Sequence, residues 1–528
     1  SSILLAGRKL VHNMARPAAA PQREPMNQDS QPTVLTRGID FDLSPEDVFL
    51  NMNRIPGFFF LDSGMASHEL SRYSYIGVAP FLTLRSRGDG IDIVEGKKVR
   101  HLTGNPLTIL QAHLQQMRLM GGSPLVPFSG GGVGYFGYEL GRSTVGVPLH
   151  ATDDLGLPEM HVSFYKTVLA YEHKTRRWIG AAVDLSGGRG TTIRKRLGNE
   201  IDKLRELASK PHRGIVTAAT TGEAPPAEEE EVVESPEVRP DRRFQVDGVD
   251  VVSTMSREEY LAGVRRIQEH IAAGDIYQAN LTQRWSVPYG DEPGRLYSAL
   301  RQVSPAPFGF FMNSGECIIA GSSPECFLSL QGRSVETRPI KGTRPRGATP
   351  EEDARLRREL EESPKDRAEL TMIADLERND LGKVCTAGTV EVSELHRLES
   401  FPNVHHLVSV VRGELRGDTG IQELFEATFP SGSITGAPKK RAMEILDGIE
   451  GTVRGPYTGA MGYMGLDGSL ALNVAIRTLV LSQGICHLGV GGGIVADSDP
   501  EAEYAECVAK ARGMLTGLRE SLALPASS

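Results

Sequence analysis

Little in this sequence would staple or anchor a fold. Its 528 residues hold five cysteines, Cys317, Cys326, Cys385, Cys486 and Cys507, each alone and with no CxxC pair. That argues against a disulfide scaffold and a thiolate zinc site and fits a reducing cytoplasm. No run reaches the ~18 apolar residues of a membrane-spanning helix, so no membrane association is expected. Lysines and arginines number 58 against 67 aspartates and glutamates, a formal net charge of -9. Without a basic excess no nucleic-acid partner is expected, whereas a small anion would need only a few placed cations. The GxxxxGK[ST] spacing of a P-loop is also missing.

What is present is a globular composition, 39% hydrophobic and 24% charged. A single core stops growing at roughly 250 to 300 residues, so a bilobed molecule of two or three domains is expected. Residues 1–32 carry Arg8, Lys9, Arg16 and Arg23 with no acid before Glu24; they read as a disordered extension. Residues 211–250, with PAEEEEVVESPEVRP, combine like charges and prolines and read as an acidic linker. The linker separates an amino-terminal region, 33–210, from a domain at 251–522.

Before the linker, GFFFLDSG, FLTLRSR, IDIVEG and WIGAAVDL are short, β-rich and parted by turns, the mark of a largely antiparallel sheet. Helical patterning there is confined to 105–119 and 191–209. After the linker, Ser256 three residues before Glu259 predicts a capped helix ending near Gly274. The strands CIIAGSSPECFLSL, LALNVAIRTLVL and GICHLGVGGGIVA alternate with helices at 364–379 and 500–520. The layout is α+β.

Four segments carry candidate chemistry. In SPKDRAELTMIADLERND, Pro364 opens a helix whose apolar face includes Ile373, Leu376 and Glu369. A carboxylate on that face needs a cation, unless it stands at an exposed helix edge. In GVGGGIVADSDPEAEYAECVAKAR, glycines open the backbone to an anion, and Glu503 and Glu506 lie one helical turn apart. That pair suits a hard cation, while Glu506 and Lys510 at i,i+4 suit an ordinary surface pair equally well. Lys341, in ETRPIKGTRPRG, is an electrostatic clamp or, if desolvated and neutral, a nucleophile. FPSGSITGAPKKR is a glycine, serine and threonine turn opening a helix, where free N–H groups favour an anion.

Taken in order, GDIYQANLTQR, GSSPE, PIKGTRPRG, AELTMIADLERND, VHHLVSVVRG, FPSGSITGAPK, YTGAMGY and GVGGGIVADSDPEAEYAEC resemble the chorismate-utilising enzymes. That family comprises anthranilate synthase and aminodeoxychorismate synthase components I and the isochorismate and salicylate synthases. The resemblance implies an anthranilate-synthase-like fold, antiparallel sheets packed as a sandwich with outer helices. It implies Mg2+ held by Glu369 and Glu506 with Glu503 beside them. Substrate carboxylates would be bound by Arg477, the Gly492 and Gly493 backbone, Thr435 and Lys510, with Tyr457 among the substrate-binding set. Glu325 would be the acid or base at the ring hydroxyl, with Gln278 and His406 lining the same pocket. Asp366 stands where some relatives have glutamate. LDSG at 61–64 and SRYSYIG at 71–77 resemble a tryptophan-type pocket containing Ser63 and Arg72.

Three positions bear on the reaction. Isochorismate and salicylate synthases place a lysine where Gln278 stands, which disfavours addition of water here. Anthranilate synthases read PIAGT where this chain reads PIKGT, and SPAPFGFF replaces their NPSPYM. Lysine at 341 follows the branch that aminates chorismate at C4 through a covalent lysine intermediate; the alternative is anthranilate formation with loss of pyruvate. The chain has no GxCxGxQ nucleophile motif, so ammonia would come from a separate glutaminase subunit.

Overall fold

The computed structural model describes residues 32–64, 71–119, 125–148, 150–187, 190–212 and 239–523. The expected amino-terminal extension, apart from Pro32, and residues 213–238 of the expected linker lie outside them. Two sheets, thirteen-stranded and twelve-stranded, dominate the fold, and every ladder between their strands is antiparallel. The α+β, antiparallel expectation holds.

The bilobed expectation needs correction, because the two halves of the sequence share both sheets. In the larger sheet the strand Phe58–Asp62 pairs with Phe308–Asn313, setting Phe60 opposite Phe311. In the smaller, Gly131–Phe136 pairs with Ala460–Gly465, with Gly134 opposite Gly462. The physical reason is edge closure: each half supplies the strand that would otherwise be the other's unpaired edge. The expected linker also ends early, since Arg243–Val246 and Val249–Ser253 form a hairpin at the edge of the larger sheet.

The sheets pack face to face. Phe59 and Tyr75 of the larger sheet meet Val133 and Tyr463 of the smaller in one buried cluster, the two tyrosine rings 5.7 Å apart. Helices cover the outer faces. Phe49, Tyr260, Val264, Leu300 and Met514 pack on the larger sheet, and Leu107, Leu110, Phe425 and Met443 pack with the smaller. Each fully buried side chain of this size contributes roughly 1.5 to 3 kcal/mol.

Helix boundaries follow the predicted caps. Ser256 and Glu259 form a reciprocal capping box opening Arg257–Ala272, and Gly274 follows its end at φ +81°. Ser363 caps the helix Pro364–Gly382. Helices also form at Pro106–Gln116, Thr191–Ala208 and Pro500–Ala523. Helical patterning in the first half extends further than expected: Pro45–Met52 is a helix with a Ser44–Asp47 capping box, aspartate standing where glutamate is usual.

Two segments read as single strands are each two. Ile318–Ser323 lies in the larger sheet and Cys326–Gln331 in the smaller. Leu470–Val474 lies in the smaller and Thr478–Ser482 in the larger. Pro324, lacking an N–H, sits at the first change of sheet, and Arg477, at φ +50°, sits at the second. These crossovers are tied side by side: Val474 N–H donates to Glu325 O at 3.0 Å and Ser322 N–H to Arg477 O at 3.1 Å.

Candidate active site

The first crossover carries Glu325 into the seam between the sheets, 4% exposed. Burial, opposed by a Ser433 hydrogen bond, the nearby Lys341 charge and the Ile340 N–H, raises its pKa to about 7. Glu325 therefore titrates near neutrality and is able to give up a proton there.

Lys341 reaches the same seam from the strand Ile340–Pro345 of the smaller sheet. The pairing of this strand with Val404–Glu414 slips between Lys341 and Thr343, and Gly342 takes φ +77° at the irregularity. Such a bulge re-aims the neighbouring side chain. Lys341 Nζ donates to Ser433 O at 3.0 Å. Burial lowers its pKa, with Lys510 acting in the same direction and Glu325, Glu369 and Glu506 opposing. The amine thus has an easier route to its neutral, nucleophilic form than a solvated lysine.

Ser433, in the turn at 431–437, lies against both groups. His406, on the strand opposite Lys341, hydrogen-bonds Thr343 Oγ1 through Nδ1 at 2.8 Å. Burial, with Arg477 nearby, pushes it down to about 3, so it is neutral at physiological pH. Arg477 itself has its pKa lowered by burial, and its guanidinium makes no hydrogen bond or ion pair to a described residue. Gln278 is fully buried, and neither atom of its amide has a protein partner. A half-buried cation and a fully buried amide without partners are costly unless a ligand completes them. The glycine strand lies alongside: a Cβ at Gly493 would fall 2.5 Å from Gln278 Nε2, and one at Gly492 would fall 3.2 Å from Glu503 Oε2.

The acidic residues converge from two helices. Glu369 is raised by burial, with Lys341 and Lys365 opposing and Asp366 and Glu506 adding to the shift. Glu503 accepts from Ser498 Oγ at 2.7 Å and is likewise raised by burial. Glu506 is held 2.8 Å from Lys510, which also donates to Gly491 O at 3.1 Å. Partial desolvation pushes Glu506 up, but Lys510 beside its half-exposed carboxylate brings its pKa down overall. Among the described residues no three acidic, histidine or cysteine side chains stand close enough to form a ready metal cage. Mutually repelling carboxylates beside a glycine backbone fit a cation that retains water ligands, as Mg2+ does, better than one requiring an all-protein shell. Asp366 is engaged elsewhere, 3.1 Å from Arg344.

Four further expected residues make contacts of their own. Thr435 Oγ1 donates to Ser431 O at 2.9 Å, so the turn uses this hydroxyl internally. The Tyr457 ring lies over Gly489, among Arg454, Glu450 and Cys507. Gly489 is four residues from Gly493, about 13 Å along an extended strand. In the tryptophan-type region, Ser63 Oγ donates to Tyr73 O at 2.7 Å, while Arg72 turns to Glu172 at 2.6 Å with its side chain 60% exposed.

The structure also adds residues that sequence reasoning did not single out: Ser431, Ser433 and Glu377. Glu377 is fully buried two helical turns beyond Glu369. Its position at i+8 on the same face was a readable signal.

Comparison with known proteins identifies the family. A model of the chorismate binding enzyme family matches residues 60–516. The chain is 35% identical over 480 residues to an anthranilate synthase component 1 of Acetivibrio thermocellus, covering 90% of this chain and 93% of that one. It is 35% identical over 476 residues to an aminodeoxychorismate synthase component 1 of Escherichia coli (strain K12), covering 90% and 96%. The crystal structure of anthranilate synthase component I from Streptococcus pneumoniae TIGR4 superposes with a TM-score of 0.69 at 27% identity, covering 84% of this chain and 92% of that one.

Proposed function

The chain belongs to the chorismate binding enzymes, of the anthranilate synthase and aminodeoxychorismate synthase type, and from that premise we propose that it aminates chorismate at C4 to give 4-amino-4-deoxychorismate. The observation that carries this reading is the Lys341 amine, partly desolvated and held beside an acid that titrates near pH 7. A lysine used only as a charge clamp gains nothing from a lowered pKa.

The neutral Lys341 amine adds at C2, the ring double bond shifts, and the C4 hydroxyl leaves as water with the proton of Glu325. Ammonia then adds at C4, the double bond shifts back, and the C2–N bond breaks to restore the lysine. Two displacements replace one difficult substitution. Arg477 binds a substrate carboxylate, and Gln278 supplies amide contacts beside the glycine strand. Neutral His406 lines the pocket without adding a charge. Glu369 and Glu506, with Glu503 beside them, would hold Mg2+, which when bound neutralises and orients a carboxylate. In this reading the ammonia comes from a glutaminase partner, as the name component 1 of the relatives suggests. In the tryptophan-type region Ser63 hydrogen-bonds the backbone of Tyr73, and Arg72 pairs with Glu172 at the end of the neighbouring strand.

The test is product identity from the full chain with chorismate, ammonium and Mg2+. The reading expects 4-amino-4-deoxychorismate and no pyruvate. Stoichiometric pyruvate with fluorescent anthranilate would assign the chain to the anthranilate reaction instead.

A further inference from the structure

The acceptor that orients Lys341 is a backbone carbonyl, and that carbonyl is shared. Lys341 Nζ donates to Ser433 O at 3.0 Å, its one hydrogen bond among the described residues. Asn280 Nδ2 donates to the same oxygen at 3.1 Å. A carbonyl oxygen has two lone pairs, so these two donors fill it.

The carbonyls that follow Ser433 are tied down from the same side. The Asn280 backbone N–H donates to Thr435 O at 2.9 Å, and Arg454 Nη1 donates to Ile434 O at 3.2 Å. Arg454 Nη2 donates in turn to Asn280 O at 2.7 Å. Asn280 and Arg454 thus engage three consecutive carbonyls of the turn that faces the lysine. Arg454 is itself fixed, because Glu450 accepts from its Nε at 2.8 Å and its Nη2 at 2.7 Å, and its guanidinium carbon lies 4.1 Å from the centre of the Tyr138 ring. Asn280, Ser433 and Arg454 are all buried, away from competing solvent. Asn280 stands two residues after Gln278 on the strand Gln278–Pro288, which puts both side chains on one face. A Cβ at Gly493 would meet both amides, 2.5 Å from Gln278 Nε2 and 3.1 Å from Asn280 Oδ1.

We propose that Asn280 is a positioning residue for the covalent step, setting where the Lys341 amine points by holding Ser433 O in place. The proposal rests on Lys341 being the nucleophile at C2. A lysine ends a flexible four-carbon stem, and among the described residues no ion pair anchors this one. With one N–H on the carbonyl, the nitrogen lone pair is confined to directions away from Ser433. In the step itself that lone pair forms the C2–N bond and the ring double bond shifts. The C4–O electron pair leaves with the hydroxyl, which takes the Glu325 proton and departs as water. Without the Asn280 donor the Ser433 peptide is free to tilt, and a misaimed nucleophile loses rate rather than binding. The competing account is a clamp that only stabilises the turn, with Lys341 aimed by its own strand.

The experiment follows adduct formation on Lys341 by rapid quenching and intact-protein mass spectrometry, with Mg2+, a range of chorismate concentrations and no ammonia. It compares the full chain with Asn280→Ala and Asn280→Thr and records Tm for each. Both variants remove the donor. Threonine keeps the volume and suits a strand, with its hydroxyl one bond short of Ser433 O, so it decides the matter if the alanine variant folds poorly. Aim through Asn280 predicts an adduct rate at saturating chorismate lowered roughly tenfold or more in both variants, with the half-saturating concentration within about threefold of wild type. A saturating rate within about twofold of wild type in either folded variant would overturn the proposal in favour of the clamp, whatever the change in Tm. So would a loss of affinity as large as the loss of rate. A wild type that forms no adduct would overturn the parent reading of Lys341 and this proposal with it, whereas a wild-type adduct that both variants match would overturn the role of Asn280 alone.

Discussion

Each residue of the site is set by a local electrostatic choice. Glu325 and Lys341 are pushed toward their neutral forms by burial, while Glu506, beside Lys510, is kept ionised. Groups whose environments drive their pKa values apart suit them to different roles. Glu369 is the carboxylate whose removal tests the metal reading most cleanly, since its one ion pair among the described residues is a long 3.9 Å contact with Lys365. Glu369→Gln should lower kcat/KM roughly hundredfold or more while raising the Mg2+ concentration needed for half activity. Tm should stay close to wild type. Normal Mg2+ dependence in that variant would remove Glu369 from the metal shell. The sequence made Glu369, Glu503, Glu506 and Lys341 readable by type and spacing. It could not reveal that Thr435 turns its hydroxyl inward, or that the neighbouring Ser433 faces the acid, because hydroxyl direction is set by the turn's own hydrogen bonds.

Strands and helices deliver these residues through irregularities rather than through regular structure. The helices were legible because their caps are local: Ser256 with Glu259, and Ser363 with Pro364, announce themselves within four residues. The crossovers at Pro324 and Arg477 were not, because both halves of each segment are buried and keep one continuous apolar pattern. The change of sheet is a tertiary event. The Gly342 bulge is the element most directly tied to chemistry. Its φ of +77° disfavours any side chain, and a Cβ would sit 2.8 Å from Leu360 Cδ1 and 2.9 Å from Asp366 Cβ. Gly342→Ala should cost about 1 to 3 kcal/mol and also depress kcat by moving Lys341. Gly332, at φ +62° in an open turn with nothing within 4 Å, is the control. Gly332→Ala should destabilise modestly and leave kcat alone. If both variants lose stability but neither loses kcat, the bulge does not aim the lysine.

At the scale of the whole molecule, function follows from two sheets built jointly by both halves of the chain. The site lies where strands leave one sheet for the other, so Lys341 and His406 come from the smaller sheet, Gln278 and the glycines from the larger, and Glu325 and Arg477 from the crossings. The pattern of strand-like and helical segments announced an α+β protein, and the halves looked separable because a charged, proline-rich stretch divides them. Pairings such as Phe60 with Phe311 join residues some 250 positions apart, and no local pattern encodes them. Among the described residues no helix is long and apolar enough to cross a membrane. The central claim is that this seam turns a lysine into a nucleophile. Its most direct test is intact-protein mass spectrometry after rapid quenching of the full chain with chorismate and Mg2+ and no ammonia source. The account predicts an adduct of chorismate less one water, located on Lys341 by peptide mapping and absent from Lys341→Ala, whose kcat falls much further than its substrate affinity. No adduct on the wild type, together with near-normal C4 amination by Lys341→Ala, would contradict it.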